Sequence, residues 1–132
     1  MSKNILVVEP NDYHRRIYAR FIKTLGYEVG TANNARSAIE IIDALKEKGI
    51  SVDAIITGMQ MPGGSGLTFL QAQNERKDST PCLVHSSETT FQEENVQLDN
   101  LTKISGIFPF AQFHKKESNY GYIKNFLDLS CE

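Results

Sequence analysis

The sequence predicts an α/β fold, in which a parallel sheet is covered by helices on both faces. Three observations support this prediction. Short aliphatic runs alternate with longer amphipathic segments along the 132 residues, and such alternation is typical of parallel sheets. The runs, such as residues 5–8, are apolar at consecutive positions, as in strands buried on both faces. Glycine, asparagine or threonine stands near the ends of the amphipathic segments, as expected for helix termini.

Three strand–helix units account for the first half of the chain. Asp12 is the expected N-cap of the first helix, because its side chain can accept a hydrogen bond from a free amide of the first turn. Gly26 and Gly49 end the first two helices. In order, the predicted elements are a strand at 5–8, a helix from Asp12 to Gly26, a strand at 27–32, a helix from Asn34 to Gly49, a strand at 52–57 and a helix at 66–76.

Two further units complete the chain. A fourth strand at 82–86 precedes a helix that Thr89 or Thr90 would cap, and a fifth strand at 113–115 precedes the last helix. Crossovers between parallel strands are right-handed, which leaves few topologies. We therefore predict a doubly wound, flavodoxin-like (βα)5 fold with a five-stranded parallel sheet of strand order 2-1-3-4-5, in a single domain spanning residues 3–129.

The composition excludes several classes of function. The formal net charge is −2, and the two basic doublets are more typical of solvated faces than of the basic patch that nucleic-acid binding requires. No apolar run approaches the ~20 residues of a membrane span. Cys82 lies in an apolar run and Cys131 lies near the end of the sequence, so we expect no disulfide. These features predict a cytoplasmic protein without nucleic-acid or membrane partners.

Candidate site residues follow from the predicted topology. Ligands of doubly wound sheets bind outside the carboxyl ends of the strands, near the point where the strand order reverses. That edge would carry Glu9, Pro10, Gly58, Ser86 and Lys116. The glycine-rich loop after the third strand lacks the Gly-Lys-Ser/Thr of a P-loop. The serine after the fourth strand lacks the Gly-x-Ser-x-Gly elbow of a hydrolase.

The three histidines lack metal-ligand spacing. His85 lies within the fourth strand, where we expect a hydrogen-bonded polar residue, and His14 is expected at the surface of the first helix. Three phenylalanines near the fifth strand either pack in the core or form a patch that binds a partner; they are Phe108, Phe110 and Phe113.

Three segments in order resemble the receiver domain of bacterial response regulators. They are Ile-Leu-Val-Val-Glu at 5–9, Leu-Gly-Tyr-Glu-Val at 25–29 and Met-Pro-Gly-Gly-Ser-Gly at 61–66. The resemblance covers residues 3–129 and weakens after Glu88. It implies a site in which an aspartate at the end of the third strand accepts a phosphoryl group from a histidine kinase. It also implies Mg²⁺ beside an acidic pair, a Ser or Thr after the fourth strand and a Lys after the fifth.

Two of the matching positions have lost the chemistry that the resemblance implies. Gly58 stands at the phosphoacceptor position, and glycine has no carboxylate that could form an acyl phosphate. Glu9 retains one acid of the acidic pair, whereas Pro10 replaces the other. A lone carboxylate makes a poor Mg²⁺ site, so we expect no Mg²⁺ and no other cofactor.

Three other positions retain the family's residue types. Ser86 keeps the hydroxyl after the fourth strand, Lys116 keeps the lysine after the fifth, and Phe113 matches the switch aromatic. Because Glu117 follows where the family usually has proline, Lys115 remains an alternative for the lysine. Lys116 either forms a salt bridge with Glu9 or reaches solvent.

The resemblance therefore implies a degenerate pseudo-receiver without enzymatic activity. We expect a phosphorylation-independent protein-interaction module in a bacterial phosphorelay pathway. Its expected surface comprises the fourth helix, the fifth strand and the fifth helix, through which it would bind signalling proteins or form a homodimer. The alternative is a small-molecule or anion-binding regulator that uses Ser86 and Lys116 in the vacated pocket. A third hypothesis, a hydroxyl acceptor at Thr57 or Ser86, lacks an evident base.

Overall fold

The computed structural model describes residues 2–61, 64–86 and 109–131. Within these ranges the predicted strands and helices follow each other in the predicted order, with two additional short strands after the third strand. The elements are β1 (Asn4–Val8), α1 (Asp12–Thr24), β2 (Glu28–Ala32), α2 (Ala35–Glu47), β3 (Ala54–Gly58), β4 (Gln60–Met61), β5 (Gly64–Ser65), α3 (Gly66–Glu75), β6 (Cys82–Ser86), β7 (Ala111–Lys115) and α4 (Gly121–Ser130).

Five of the strands form one parallel sheet. Its order is β2-β1-β3-β6-β7, and each neighbouring pair is parallel. The two-residue strands β4 and β5 lie outside this sheet, so the order along the five long strands is 2-1-3-4-5. The predicted flavodoxin-like fold is therefore confirmed, although β3 begins at Ala54 and β7 at Ala111.

The core consists of two layers, one on each face of the sheet. Because side chains alternate along a strand, β1 sends Leu6 and Val8 into one layer and Ile5 and Val7 into the other. The first layer includes residues of α2 and α3, and the second is formed with α1 and α4. All four β1 side chains are buried, which explains why the strand is aliphatic at consecutive positions.

Helix α1 begins differently from the prediction. Asn11, not Asp12, is the N-cap: its backbone is extended, and its side chain accepts a hydrogen bond from the His14 amide at 2.9 Å. Asp12 is already helical and lies in the first turn, where its carboxylate pairs with the guanidinium groups of Arg15 and Arg16. The predicted Asp12 cap was therefore wrong by one residue, because both side chains can cap a helix.

The segment after β3 contains a small hairpin that the sequence did not predict. β4 and β5 pair antiparallel, with Gln60 opposite Ser65 and Met61 opposite Gly64. The amide of Gly66 donates to the Met59 carbonyl at 2.6 Å and closes the base of the hairpin. Two strands of two residues each are too short to leave a hydrophobic pattern in the sequence.

Helix α3 starts directly against the end of β3. A Cβ atom at Gly66 would lie 2.7 Å from the Gly58 carbonyl oxygen and 3.2 Å from Cα of Met59. Both are backbone atoms and cannot rotate away, so glycine at this position permits the close approach of helix and strand.

Two predictions fall outside the described residues. The helix that Thr89 or Thr90 would cap lies in the range 87–108, as does Phe108. In the ranges that the structure describes, none of the helices is both long and apolar enough to cross a membrane.

Gly66→Ala is expected to lower the free energy of unfolding by roughly 1–3 kcal/mol, because its methyl group would force α3 away from β3. Urea denaturation measures this change. Gly30→Ala is the matched control: its Cβ would meet only Leu6 Cδ1, at an ordinary 3.7 Å. Equal stability of the two variants would contradict the close approach.

Candidate functional site

The carboxyl ends of four parallel strands meet at one edge of the sheet. Glu9 directly follows β1, Gly58 is the last residue of β3, Ser86 is the last residue of β6 and Lys116 directly follows β7. Strand register places Gly58 opposite His85 and Ser86 opposite Lys115. The topology thus gathers at one edge the positions that the sequence analysis selected.

Glu9 is a buried carboxylate at this edge, with only 4% of its surface exposed. Its amide donates to the Ala32 carbonyl at 2.9 Å, which fixes its backbone beside β2. Its Oε2 accepts a hydrogen bond from the Asn11 amide at 3.4 Å, and its Oε1 lies 3.2 Å from Nζ of Lys116. Because a buried charge without a partner is costly, the ammonium of Lys116 offsets the cost of burying this carboxylate.

Lys116 crosses the edge of the sheet to reach this carboxylate. Its ammonium joins two residues that lie 107 positions apart in the sequence. The same ammonium lies 5.7 Å from the ring centroid of Tyr18, within the range of a cation–π contact. Of the two expected arrangements, a salt bridge or an extension into solvent, the structure has the salt bridge. Lys115 lies within β7, and its side chain is exposed.

Helix α1 brings two further basic residues to Glu9. His14 Nδ1 lies 3.8 Å from Glu9 Oε1, and about half of the His14 side chain is exposed. Arg15 Nη1 donates to the Glu9 carbonyl oxygen at 3.0 Å. Although the sequence placed His14 at the surface, it also contacts the site.

The remaining positions offer little to a metal ion. Neither Gly58 nor Pro10 has a side-chain oxygen, and the carboxylate of Glu9 is already engaged by Lys116. Mg²⁺ prefers near-octahedral coordination by several oxygen atoms. The described residues include no group of three or more histidine, cysteine or acidic side chains arranged to hold a metal. The residues of this edge therefore do not fit Mg²⁺.

A cluster of aromatic and histidine side chains lies beneath the edge, between the sheet and helices α1 and α4. His85 Nδ1 and the Tyr122 hydroxyl are 2.7 Å apart, and the ring of Tyr18 is 4.9 Å from that of His85. His114 stacks on Tyr122, with ring centroids 4.4 Å apart. The sequence analysis missed this cluster, because its members belong to four different elements and share no spacing along the chain.

His85 is only partly satisfied by this cluster. Its Nε2 is buried and has no hydrogen-bond partner among the residues that the structure describes. The expectation of a hydrogen-bonded residue is therefore met at one ring nitrogen, Nδ1, which bonds to Tyr122. His85 itself is 1% exposed.

Burial controls the protonation of the cluster. Loss of solvent lowers the pKa of His85 to about 3, assisted by the positive charges of Lys116, His114 and His14. Burial also raises the pKa of Tyr18 to about 12, and the nearby carboxylate of Glu9 acts in the same direction. Both side chains are thus neutral at physiological pH.

The other candidate residues are placed as follows. Phe113 and Phe110 are partly buried and pack against the core layer of α2 and α3, as the core interpretation expects. Thr57, the alternative phosphoacceptor, is fully buried, and its hydroxyl donates to the Gly58 carbonyl at 3.2 Å. Cys82 and Cys131 are both free thiols.

Comparison with protein families gives a match over most of the chain. The response regulator receiver domain matches residues 5–107. The putative two-component response regulator ARR21 of Arabidopsis thaliana is 26% identical over 122 residues, which cover 86% of this chain and 19% of that protein. The autoinducer 1 sensor kinase/phosphatase LuxN of Vibrio harveyi is 28% identical over 103 residues, covering 78% of this chain and 11% of that protein. The chain thus spans less than a fifth of either relative.

Solved structures show the same fold. A response regulator receiver domain protein from Clostridium thermocellum superimposes with a TM-score of 0.78 at 20% identity, covering 97% of this chain and 93% of that one. The chemotaxis protein CheY4 of Vibrio cholerae gives 0.76 at 21% identity, with 98% and 99% covered. The response regulator protein TrrA of Thermotoga maritima, in complex with Mg²⁺-BeF, gives 0.71 at 22% identity, with 96% and 97% covered.

Lys116→Met is expected to lower the free energy of unfolding by about 1–3 kcal/mol. The change leaves Glu9 buried without its cation, and the cost is less than for a fully buried pair because Lys116 is 28% exposed. The double variant Glu9→Gln/Lys116→Met should recover most of this loss, since it removes both charges. Urea denaturation of the four proteins of the cycle measures the coupling.

Lys124→Met is the matched control for this cycle. It breaks an ion pair with Asp128 on α4 in which both side chains are about half exposed, and it should change stability little. If Lys116→Met lowers the free energy of unfolding as little as Lys124→Met does, the burial of Glu9 does not depend on Lys116.

His85 is expected to make the fold less stable as the pH falls from 7 to 5. The pKa of His85 is near 6.5 in the unfolded chain and about 3 in the folded chain. Between these two values the unfolded state binds a proton that the folded state does not bind, so acidification favours unfolding. When the pH falls from 7 to 5, the free energy of unfolding of His85→Leu should decrease by roughly 2 kcal/mol less than that of the wild type.

Chemical denaturation at pH 7, 6 and 5 measures this difference. Tyr122→Phe is the control, because it removes the hydrogen bond to Nδ1 and retains the buried histidine. It should keep the pH dependence of the wild type. Parallel curves for the wild type and His85→Leu would contradict the assignment.

Proposed function

The chain belongs to the response regulator receiver domain family, and we propose that it is a receiver that signals without phosphorylation. In this proposal it has no enzymatic activity and acts as a protein-interaction module of a bacterial phosphorelay pathway. The observation that carries the proposal is Gly58 at the end of β3, between the strand ends that hold Glu9 and Ser86. A glycine there cannot accept a phosphoryl group, because an acyl phosphate requires a carboxylate.

The electrostatics of the edge support the same proposal. Phosphoryl transfer depends on cations that neutralise the developing negative charge. Here the ammonium of Lys116 already pairs with Glu9 at 3.2 Å. The TrrA structure contains Mg²⁺-BeF. In the part of this chain that the structure describes, the carboxylate that directly follows these strand ends is that of Glu9, and Lys116 already engages it. We therefore propose that neither Mg²⁺ nor another cofactor takes part.

The other hypotheses gain less support. Thr57 is buried with its hydroxyl bonded to the Gly58 carbonyl, so a phosphodonor could not reach it without opening the sheet edge. A regulator that binds an anion would draw on the charge of Lys116, which Glu9 compensates. Both observations favour a site that is inert toward phosphoryl groups.

The partner surface remains a proposal. Its fifth strand and fifth predicted helix are β7 and α4 of the structure, whereas its fourth predicted helix falls within 87–108, outside the described residues. Signalling proteins as partners, the homodimer, the pathway and the cytoplasmic location likewise stay predictions.

Incubation with Mg²⁺ and acetyl phosphate is expected to leave the chain unmodified, because no carboxylate stands at position 58. Intact-mass spectrometry measures the phosphoryl adduct, and treatment with hydroxylamine identifies an acyl phosphate. Amide NMR spectra should also show no shift at Glu9 or Gly58 on addition of Mg²⁺ alone.

Pro10→Asp/Gly58→Asp is the matched control for this experiment. It restores the acceptor and the second acid of the pair while retaining Glu9, Ser86 and Lys116. This variant should form an adduct that hydroxylamine removes, which would show that the assay detects a competent site. An adduct on the wild-type chain would overturn the proposed function.

A further inference from the structure

The outer flank of α1 concentrates positive charge in a protein whose net charge is −2. A groove of about 450 Å³ runs between this flank and Thr31 of β2; we call it the α1 groove. Four cations and one carboxylate line it, which gives a local net charge of +3. The lining residues are Asp12, Arg15, Arg16, Ala19, Arg20, Lys23 and Thr31.

The charge of the α1 groove is only partly compensated from within the chain. Asp12 forms ion pairs with both Arg15 and Arg16. No described residue forms an ion pair or a side-chain hydrogen bond with Arg20 or Lys23. Like charges one turn apart on a helix repel each other, so an anionic partner would relieve a repulsion that the fold leaves in place.

The wall opposite α1 is the open edge of the sheet. β2 is the first strand in the order, and no strand of the described ranges pairs with its outer side. The Glu28 amide donates to Lys3, and the Ala32 carbonyl accepts from Glu9, so these two residues bond toward β1. By strand alternation the backbone N–H and C=O groups of Val29 and Thr31 point outward.

We propose that the α1 groove and the β2 edge bind an extended, acidic segment of a partner protein. The segment would add as a strand beside β2, taking up the backbone groups of Val29 and Thr31. Alternate side chains of an extended chain lie about 6.7 Å apart on one face. Arg16 and Arg20 are separated by about 6 Å along the helix axis, so carboxylates at every second position meet successive cations.

The open edge favours a polypeptide over a nucleic acid. A strand offers both amide donors and carbonyl acceptors, spaced to match the outward backbone groups of Val29 and Thr31, whereas the sugar–phosphate chain of DNA offers acceptors alone. The inference rests on the proposed function only in supplying a protein contact. Of the groove's lining residues, Arg15 also donates to the Glu9 carbonyl oxygen, whereas Arg20 and Lys23, which the test below alters, make no contact with Glu9 or Lys116 among the described residues.

An octapeptide of alternating Glu and Val with a fluorescent label tests the charge requirement. Fluorescence anisotropy should show saturable binding to the wild-type chain that weakens as salt is added. Arg20→Ala/Lys23→Ala should weaken binding about tenfold or more. Arg36→Ala is the matched control, because Arg36 is a 91% exposed arginine on α2, and it should bind as the wild type does.

Two further measurements test the strand addition without altering the protein. Amide hydrogen exchange at Val29 and Thr31 should slow when the peptide binds. A peptide of the same charge that is N-methylated at alternate residues should lose binding, since it cannot donate to the edge. Unchanged affinity of the N-methylated peptide, no protection at β2, or equal binding by Arg20→Ala/Lys23→Ala would each overturn the proposal. Tighter binding of single-stranded DNA of equal charge would do the same.

The outcomes separate this inference from the proposed function. If the peptide does not bind and the wild type forms no phosphoryl adduct, the proposed peptide site is overturned and the proposed function is not. An adduct on the wild type together with peptide binding overturns the proposed function alone and leaves the groove as a contact of a phosphorylated receiver.

Discussion

The buried carboxylate of Glu9 imposes the constraint on which this edge of the structure depends. Glu9 directly follows β1, it is almost fully buried, and it lies against the first turn of α1. A charge in such a place requires a cation, and Lys116 supplies it from the far side of the sheet. The pair thereby ties the end of the second strand in the sheet order to the end of the last. It also compensates, from within the chain, the charge of Glu9 at this edge.

The neutral cluster of Tyr18, His85 and Tyr122 lies directly below this pair. Its rings fill the space between the sheet and helices α1 and α4, and the ammonium of Lys116 lies close to one of them. Because the cluster carries no charge at physiological pH, Glu9 is the one ionic partner of Lys116 among the described residues. The carboxylate of Glu9 and the ring of Tyr18 thus define one position for the side chain of Lys116.

Much of this architecture could be predicted from the sequence, for reasons that particular residues make clear. Runs such as 5–8 are apolar at every position because both faces of a central parallel strand are covered, and these runs predicted the parallel sheet. Its strand order followed from the right-handedness of the crossovers. The hairpin of β4 and β5 could not be predicted, since its pairing depends on backbone closure at Gly66. The contacts of His85 likewise depend on which faces of α1 and α4 meet the sheet, and no local pattern encodes that. The pairing of Glu9 with Lys116 was one of two arrangements that the sequence left open.

The distance along the chain between the two members of the ion pair has a consequence for biosynthesis. Glu9 leaves the ribosome 107 residues before Lys116, and at 5–20 residues per second that interval lasts roughly 5–20 s. Throughout this time the nascent sheet holds a carboxylate whose counter-charge has not been made. Burial of the end of β1 beside its lysine partner therefore requires β7, so the carboxyl edge of this sheet closes after the other four strands have been made.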